Sequence, residues 1–215
     1  MIEIRRDFRG YLNINKPKGP SSFDVVRDLR RQLDEKRVGH AGTLDPLASG
    51  VLVVAVGREN TKNISKIQEF KKTYVATIKL GITSETDDAE GSLTPVDVKK
   101  IPEISKVKRC VKVFTGEISQ TPPAFSAKKV NGQRAYDLSR KGKVVDLNPC
   151  DITIHNIKIA SYVWPYLKIE VTCSKGTYIR SLARDIGVCL KTGAYLCELI
   201  RTSVGEYKIK DSIKI

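Results

Sequence analysis

The stretch at residues 39–52, which reads GHAGTLDPLASGVL, constrains this chain more than any other. Three glycines and a proline surround a single acid, Asp45, and an apolar run follows at 51–56. Glycine tolerates backbone angles that other residues avoid, and proline fixes its own φ and restricts the residue before it. Such a loop can hold the Asp45 carboxylate in one geometry at the mouth of a buried strand. The alternative is an Asx-type turn in which Asp45 only bonds nearby backbone N–H groups.

Length and charge bound the kind of protein. With 215 residues and 40% hydrophobic content, the chain is long enough to bury one substantial core. Lysine and arginine outnumber the acids by 38 to 24, and the formal net charge of +14 indicates a polyanionic partner, with nucleic acid as the first candidate. The alternative is a generally basic protein without such a partner.

The cysteines and histidines indicate neither a zinc site nor a disulfide framework. The five cysteines are odd in number and form no C-x-x-C unit, and His40 and His155 are the only histidines. The N-terminus lacks the apolar segment of a signal peptide, and no apolar run approaches membrane-spanning length. We therefore expect a reduced, cytoplasmic, soluble protein without a metal.

Two periodicities predict the secondary structure. Alternating or continuous apolar residues predict strands, at 11–15, 51–56, 73–80, 152–159 and 166–173. Apolar stripes at helical spacing predict helices, with the stripes Phe23, Val26, Leu29 and Leu33; Ile104, Val107, Val111 and Phe114; and Ile179, Leu182, Ala183, Ile186 and Leu190. These elements lack a regular βαβ rhythm, which favours an α+β fold.

Charged residues at the helix starts carry further predictions. Ser21 and Asp24 are spaced as a capping box, while the arginines of the same helix form either a solvated or an RNA-facing surface. Arg180 lies in the first turn of the last helix, where a cation opposes the helix dipole. We therefore expect an acidic partner for Arg180, with Asp185 on the same helix as the simplest candidate. The acidic stretch 83–91 lacks the spacing of an EF-hand and is predicted to be a polar surface loop.

Residues 121–145 have a distinct composition. Asn131 and Gly132 predict a hairpin, and residues 135–141 predict a short helix. The segment is basic, with Lys128, Lys129, Arg134, Arg140, Lys141 and Lys143 against one acid, and it contains Phe125 and Tyr136. This composition suits a projection that grips looped or single-stranded RNA, and equally an ordinary basic hairpin.

The loop at 39–52 closely resembles the signature of TruB-type tRNA pseudouridine synthases, the tRNA pseudouridine-55 synthases. Four further segments resemble the family in order and spacing. They are 15–19 with Ser21 and Ser22; 72–74 with 80–81 and 86–87; 122–129; and 173–180. The resemblance extends from about Gly10 to Tyr207.

The resemblance implies an enzyme that isomerises the T-loop uridine of tRNA to pseudouridine without cofactor or metal. It implies a mixed, mainly antiparallel sheet flanked by helices, in one catalytic domain over 1–215, with residues 121–145 as an RNA-clasping thumb. A C-terminal module of the PUA type, which many members carry, is not expected. We expect tRNA, through its T-arm, as the partner of a monomer with no obligate protein partner.

The resemblance also implies roles for particular residues. Asp45 is the catalytic carboxylate, Tyr74 stacks on the flipped base and accepts a proton, and Arg180 pairs with Asp45 and keeps it ionised. The remaining RNA-binding candidates are His40, which packs in the RNA loop, Tyr178 and Leu199, which line the base pocket, Lys16, which with Pro17 supports the catalytic loop, and Lys128 and Lys129 of the thumb.

Two other functions are also consistent with the sequence. The chain could be a tRNA-folding module that binds without turnover, or a pseudouridine synthase that acts on another RNA. A catalytic set of Asp45, Tyr74 and Arg180 argues against the first, because binding alone does not require an ionised carboxylate beside an anionic ligand. The loop signature resembles the stand-alone, bacterial-type branch of the family more than a guide-dependent one.

Overall fold

The structure is a computed structural model that describes residues 5–126, 128–130, 132–139 and 147–215. Contacts divide the chain into two units. The first unit contains the residues up to Val75 and Leu199–Ile215, and the second unit contains Ala76–Glu198. The division falls within two strands, so each of these strands contributes residues to both units. The predicted single domain over 1–215 stays a prediction.

The described ranges contain helices and strands in an irregular order. The helices are α1 (Ser22–Leu33), α2 (Arg58–Lys62), α3 (Ile64–Gln68), α4 (Ile104–Val113), α5 (Ala135–Ser139) and α6 (Ile179–Leu190), with a 3-10 turn at Ile209–Asp211. The strands are β1 (Gly10–Lys16), β2 (Val38–His40), β3 (Ala48–Val56), β4 (Lys72–Leu80), β5 (Ile82–Ser84), β6 (Leu93–Pro95), β7 (Gly116–Gln120), β8 (Lys129–Val130), β9 (Gln133–Arg134), β10 (Cys150–Val163), β11 (Tyr166–Cys173), β12 (Ala194–Val204), β13 (Tyr207–Lys208) and β14 (Ile213–Lys214).

The sheet of the first unit is built around β3. The strand order is β14-β1-β3-β12, with β2 also on β3 and β13 on β12. β1 and β2 run antiparallel to β3, whereas β12 is parallel to β3 and β14 is parallel to β1. Leu52, Val54 and Val56 face one apolar cluster, and Val51 and Val53 face another. Both faces of β3 are therefore buried, as the continuous apolar run predicted.

Helix α1 covers one face of this sheet. Its N-cap, Ser21, forms the predicted capping box with Asp24, because each accepts a hydrogen bond from the other's backbone N–H. Val25 packs in the cluster beside β1 and β3, whereas the side chain of Phe23 is 57% exposed and lies near the Arg30 guanidinium. The predicted stripe was wrong at Phe23, because the buried face of the first turn starts one residue earlier, at Ser22.

The second unit is a mainly antiparallel sheet with helices. The strand order is β4-β11-β10-β7, and β10 is antiparallel to both β11 and β7. The α6 stripe predicted from sequence is buried, and β8 and β9 pair as the predicted hairpin, followed by α5. A disulfide joins Cys110 of α4 to Cys189 of α6, a link that the cysteine spacing did not predict. The end of the predicted thumb, at 140–146, lies outside the described residues.

The predicted α+β class with a mainly antiparallel sheet flanked by helices is confirmed. Tyr74, Ala76, Ile78 and Leu80 alternate with less buried residues along β4, as their period-two pattern predicted. Within the part of the chain that the structure describes, no helix is both long and apolar enough to cross a membrane.

Candidate active site

The Asp45 loop, residues 41–47, joins β2 to β3 in the first unit. The buried hydroxyl of Ser22 accepts from the Leu44 N–H (2.8 Å) and donates to the Leu44 carbonyl (2.9 Å). The Asp45 carbonyl accepts from the Ala48 N–H (3.0 Å), which closes a tight turn before β3. The Asp45 side chain is half-buried. The loop backbone is therefore fixed on both sides of the carboxylate.

The segment after β1 supports the same loop. The Gly19 N–H donates to the Pro46 carbonyl (2.8 Å). The ammonium group of Lys16, which is fully buried, donates to the carbonyls of Pro17 (2.9 Å) and Pro20 (2.7 Å). A buried ammonium group must be compensated by hydrogen bonds, and these two bonds fold the turn that presents Gly19. The role predicted for Lys16, support of the catalytic loop, stays a prediction.

His40, at the end of β2, lies beside the start of the Asp45 loop. Its Nδ1 accepts a hydrogen bond from the Gly42 N–H at 3.4 Å. Burial lowers the pKa of the His40 imidazole below its usual value, and the nearby positive charge of Arg201 lowers it further. Both effects favour the neutral form of the imidazole, and the predicted packing of His40 against RNA stays a prediction.

Two other predicted residues lie on the neighbouring strands of the first unit. Tyr74, on β4, is buried, and its side chain is 8% exposed. Leu199, on β12, is also buried and is the register partner of Ala48, the first residue of β3. The first unit thus contains five of the predicted site residues, namely Lys16, His40, Asp45, Tyr74 and Leu199.

Arg180 belongs to the second unit, in the first turn of α6. Its side chain is buried, and Nη1 lies 3.3 Å from Oδ2 of Asp88. The guanidinium also donates to the carbonyls of Thr86 (3.3 Å) and Phe125 (3.0 Å). Because Arg180 and Asp45 belong to different units, their predicted ion pair stays a prediction.

The acidic partner expected for Arg180 on α6 was wrong. Asp185 pairs with the adjacent Arg184 (3.0 Å), and the carboxylate beside Arg180 comes from the stretch 83–91. That stretch is therefore more than a polar surface loop, because its two aspartates, at 87 and 88, are buried. This role was not predicted from the sequence, although two arginines at 180 and 184 on a largely buried helix require acids from elsewhere in the chain.

Asp87 and Asp88 occupy different positions in this network. Oδ2 of Asp87 lies 2.9 Å from Nη1 of Arg184, and burial raises the pKa of Asp87 even though Arg184 and Arg180 oppose the rise. Oδ1 of Asp88 accepts from the hydroxyl of Thr86 and the Glu90 N–H (2.9 Å). Asp88 thus uses both carboxylate oxygens, one toward its own turn and one toward Arg180.

Tyr178 is the N-cap residue of α6 and is half-buried. Its N–H donates to Oε1 of the buried Gln120 (2.9 Å), and its carbonyl accepts from Nε2 of the same amide (3.1 Å). The paired bonds fix the backbone at which α6 begins. The predicted contact of Tyr178 with the base stays a prediction.

The thumb candidates are only partly described. Nζ of Lys128 donates to the Asn148 carbonyl (2.9 Å) and lies 2.6 Å from Sγ of Cys150. Lys129 is in β8, and its side chain lies outside the described residues. The rings of Phe125 and Tyr136 meet edge to face, with centroids 6.5 Å apart. Phosphate binding by the two lysines stays a prediction.

The described residues contain no group of three or more His, Cys, Asp or Glu side chains arranged to hold a metal ion. In the first unit, the candidate residues include a half-buried carboxylate on a fixed loop, a half-buried imidazole and a buried tyrosine. In the second unit, they include a buried, ion-paired arginine in the first turn of α6. A carboxylate on a fixed loop suits chemistry that uses it as a nucleophile or as an electrostatic stabiliser.

Comparison with protein families matches residues 30–179 to the model described as TruB family pseudouridylate synthase (N terminal domain). Proteins named tRNA pseudouridine synthase B are similar over almost the whole chain. The one from Clostridium kluyveri is 50% identical over 209 residues, which are 96% of this chain and 71% of the relative. The one from Bacteroides fragilis is 48% identical over 208 residues, or 94% of this chain and 89% of the relative.

Among solved structures, a crystal structure of a Cbf5-Nop10-Gar1 complex is similar with a TM-score of 0.75 and 30% identity. That match covers 100% of this chain and 54% of the other. A structure of an H/ACA RNP bound to a substrate RNA containing 2′-deoxyuridine matches with a TM-score of 0.70 and 29% identity, over 95% of this chain and 50% of the other. The chain thus spans about half the length of the matched chain in each of these two structures.

Proposed function

We propose that this chain, which belongs to the TruB family of pseudouridylate synthases, converts a uridine in the T loop of tRNA into pseudouridine. The observation that carries the proposal is the Asp45 loop, where hydrogen bonds from Ser22 and Gly19 fix the backbone on either side of one carboxylate. The name of the relatives supports tRNA as the substrate, and the net charge of +14 supports binding to a polyanion.

The reaction requires a group that stabilises a detached base and ribose. The N1–C1′ bond of the uridine breaks, the base turns, and a C5–C1′ bond forms, while C5 loses a proton and N1 gains one. Electrons are conserved overall, so the reaction needs no redox partner. A carboxylate can assist such a transfer covalently or electrostatically, as in retaining glycosidases, and Asp45 is the group that does so here.

Arg180 and Tyr74 complete the proposed catalytic set. Arg180 pairs with Asp45 in the RNA complex and keeps it ionised while the base excludes water. The uridine must leave the T loop to react, which costs a few kcal/mol. Stacking of the uracil on the Tyr74 ring offsets about 1–3 kcal/mol of this cost. The phenol of Tyr74 then accepts the proton that leaves C5.

The remaining roles concern binding. His40 packs in the RNA loop, Tyr178 and Leu199 line the pocket for the base, and the basic thumb contacts phosphates. The enzyme acts on the T-arm as a cytoplasmic monomer without an obligate protein partner. Light scattering of the purified chain, alone and with tRNA, tests the monomer: a one-to-one complex is expected, and a dimer contradicts it.

Tritium release tests the function directly. Purified protein is incubated with tRNA that carries tritium at C5 of its uridines, and any pseudouridine is then mapped. One tritium released per tRNA, from the T loop only, is the expected result. Binding without release would indicate an RNA-folding module, and release from ribosomal RNA but not from tRNA would indicate a different substrate.

A further inference from the structure

Arg201 is a buried arginine to which the sequence assigned no role. It lies on β12 in the first unit, and its side chain is 2% exposed. Nε donates to the Val51 carbonyl (2.7 Å), Nη2 to the Gly42 carbonyl (3.0 Å) and Nη1 to the Thr43 carbonyl (3.4 Å). Among the described residues, no carboxylate lies within salt-bridge distance of this guanidinium. Its charge is therefore compensated by backbone carbonyls.

Those carbonyls lie on both sides of Asp45 in the sequence. Gly42 and Thr43 lie near the start of the Asp45 loop, whereas Val51 lies in β3, the strand that follows the loop. A guanidinium presents five donors in a rigid, planar fork, so it can bond three carbonyls at fixed mutual positions. The ammonium group of a lysine is a compact donor on a flexible stem and cannot reproduce this pattern. Arg201 thus ties the entry of the loop to the strand that follows it.

The backbone of Arg201 contributes to the same arrangement. β12 runs parallel to β3 with Arg201 in register with Gly50. A Cβ at Gly50 would lie 2.3 Å from the Arg201 carbonyl oxygen, and Gly50 has a φ of +102°. Only glycine allows this close approach without moving one of the strands. The side chain of Arg201 therefore bonds Gly42 and Thr43 in the loop and Val51 in β3, while its backbone lies against Gly50 in β3.

We infer that Arg201 is a positioning residue that fixes the loop backbone so that the Asp45 carboxylate is held in its reactive orientation. The inference rests on the proposed function, because it concerns the geometry of the same reaction. It differs from the role of Ser22, which holds the centre of the loop from α1, since Arg201 holds the two ends of the loop from the sheet.

The test compares Arg201→Lys and Arg201→Gln with the wild-type protein. Steady-state rates with tRNA separate kcat from KM, and tRNA affinity is measured independently. In Arg201→Lys, kcat is expected to fall by about 10²-fold while KM and Kd stay within about twofold, because misplacing a reacting group by about 1 Å costs a factor of that order. Arg9→Lys is the matched control, since Arg9 also donates to a backbone carbonyl, that of Phe8, away from the loop.

Two further readouts are independent of turnover. Hydrogen exchange of the Asp45 loop, measured without RNA, should accelerate at least tenfold in both Arg201 variants and not in the control. In an NMR titration, the pKa of His40 should rise in Arg201→Gln, which loses the charge, and stay near the wild-type value in Arg201→Lys.

The outcomes separate the inference from the proposed function. A lower kcat together with faster exchange in the loop supports a positioning role. An unchanged kcat in folded Arg201→Lys, or a lower kcat with unchanged exchange in the loop, overturns it. If the wild-type protein releases no tritium from tRNA, the proposed function fails, and the exchange experiment still decides whether Arg201 fixes the loop.

Discussion

The first and second units each bury an arginine, but the two side chains are compensated in different ways. Arg201 donates to three backbone carbonyls on either side of Asp45. Arg180 pairs with the carboxylate of Asp88 and also donates to carbonyls. Carbonyls do not titrate and belong to the backbone, so Arg201 constrains the path of the chain. Asp88 is a charged side chain, so its bond to Arg180 constrains the position of a charge.

This difference suits the parts that the two regions are proposed to play. A nucleophile needs a fixed orientation, which the hydrogen bonds to the Asp45 loop provide. Arg180 is held by the buried carboxylate of Asp88 and by the carbonyls of Thr86 and Phe125, so the position of its charge is fixed within the second unit. Substitutions in each unit can test this contrast.

Asp45→Asn tests whether the first unit supplies the reactive group. The amide has the same shape but cannot act as an anionic nucleophile, so pseudouridine formation should fall by at least about 10³-fold. Binding of tRNA should stay within about threefold, because the backbone hydrogen bonds of Leu44, Asp45 and Pro46 are still present in the variant. Tritium release and filter binding measure the two effects. Asp7→Asn, at an exposed acid, is the control, and substantial turnover by Asp45→Asn would remove Asp45 from its role.

Tyr74→Phe tests whether the chemistry of the first unit extends beyond the carboxylate. The ring still stacks on the base, but the proton acceptor is lost, so kcat should fall by about 10²-fold with little change in KM. Tyr11→Phe is the matched control, because Tyr11 also loses a phenol hydroxyl, one that bonds the Asn60 carbonyl in the same unit. Equal rates in wild type and Tyr74→Phe would limit the tyrosine to packing.

Asp88→Asn tests whether the second unit depends on a charge. The substitution leaves a buried guanidinium without its carboxylate, and breaking a buried pair typically costs about 3–5 kcal/mol of unfolding free energy. Urea unfolding should show a loss near the lower end of that range, since the amide oxygen can still accept one hydrogen bond. Asp97→Asn, at an exposed pair with Lys99, should leave the urea midpoint unchanged. A midpoint for Asp88→Asn equal to that of Asp97→Asn would contradict the contrast between the units.

Ser22→Ala tests whether hydrogen bonds to the backbone of the Asp45 loop are needed for activity. The variant leaves both the N–H and the carbonyl of Leu44 without their hydroxyl partner, which should cost about 1–3 kcal/mol. We expect kcat to fall by about tenfold at constant KM, because the loop loosens before RNA binding is affected. Ser212→Ala, which loses a hydroxyl bond to the Ile209 carbonyl, is the control and should keep kcat. A change in KM alone would place Ser22 in RNA binding instead.

The pH dependence of stability should have opposite signs in the two units. The pKa of folded His40 is lowered by burial and by Arg201, so below the ordinary histidine value of 6.5 the unfolded chain takes up a proton that the folded chain does not. This contribution is fully present above that value and is lost as the pH falls toward the folded pKa. The pKa of folded Asp87 is raised, so its contribution is present below 3.8 and is lost as the pH rises through the folded pKa.

Unfolding free energies of His40→Asn and wild type between pH 5 and 7.5 isolate the first of these contributions. The advantage of the wild type in unfolding free energy should shrink as the pH falls. We expect this effect to be smaller than those of the four substitutions above. A wild-type advantage that grows at low pH would mean that His40 gains a proton on folding.

Periodic features of this fold could be predicted from the sequence, and pairings over a long range could not. The alternation along β4 and the stripe of α6 were correct because burial follows the repeat of the backbone. The partner of Arg180 was not found, because Asp88 lies 92 positions away in the sequence (180 − 88) and no local pattern links them. The role of Arg201 was not predicted for a similar reason. Its partners are backbone carbonyls, which every residue has, so the residue types do not reveal them.

For the candidate site, the sequence points to candidate reactive groups more readily than to residues that hold the loop through its backbone. Asp45 was singled out by the glycines and proline around it, and the family resemblance added Tyr74 and Arg180. The sequence alone does not explain why a glycine is required at position 50, because its close approach to Arg201 depends on the pairing of β3 with β12. Supporting residues act through the backbone of another segment, and that relation exists only in the folded chain.

The two hydrogen bonds between Ser22 and Leu44 join the start of α1 to the Asp45 loop. Local opening of the first helical turn would break both bonds and remove one support of the loop, while the bonds from Arg201 and Gly19 remain. The capping box of Ser21 and Asp24 therefore contributes to the stability of the loop, although neither residue lies in the loop. Loss of the capping box should accordingly accelerate amide exchange at both Val25 and Leu44.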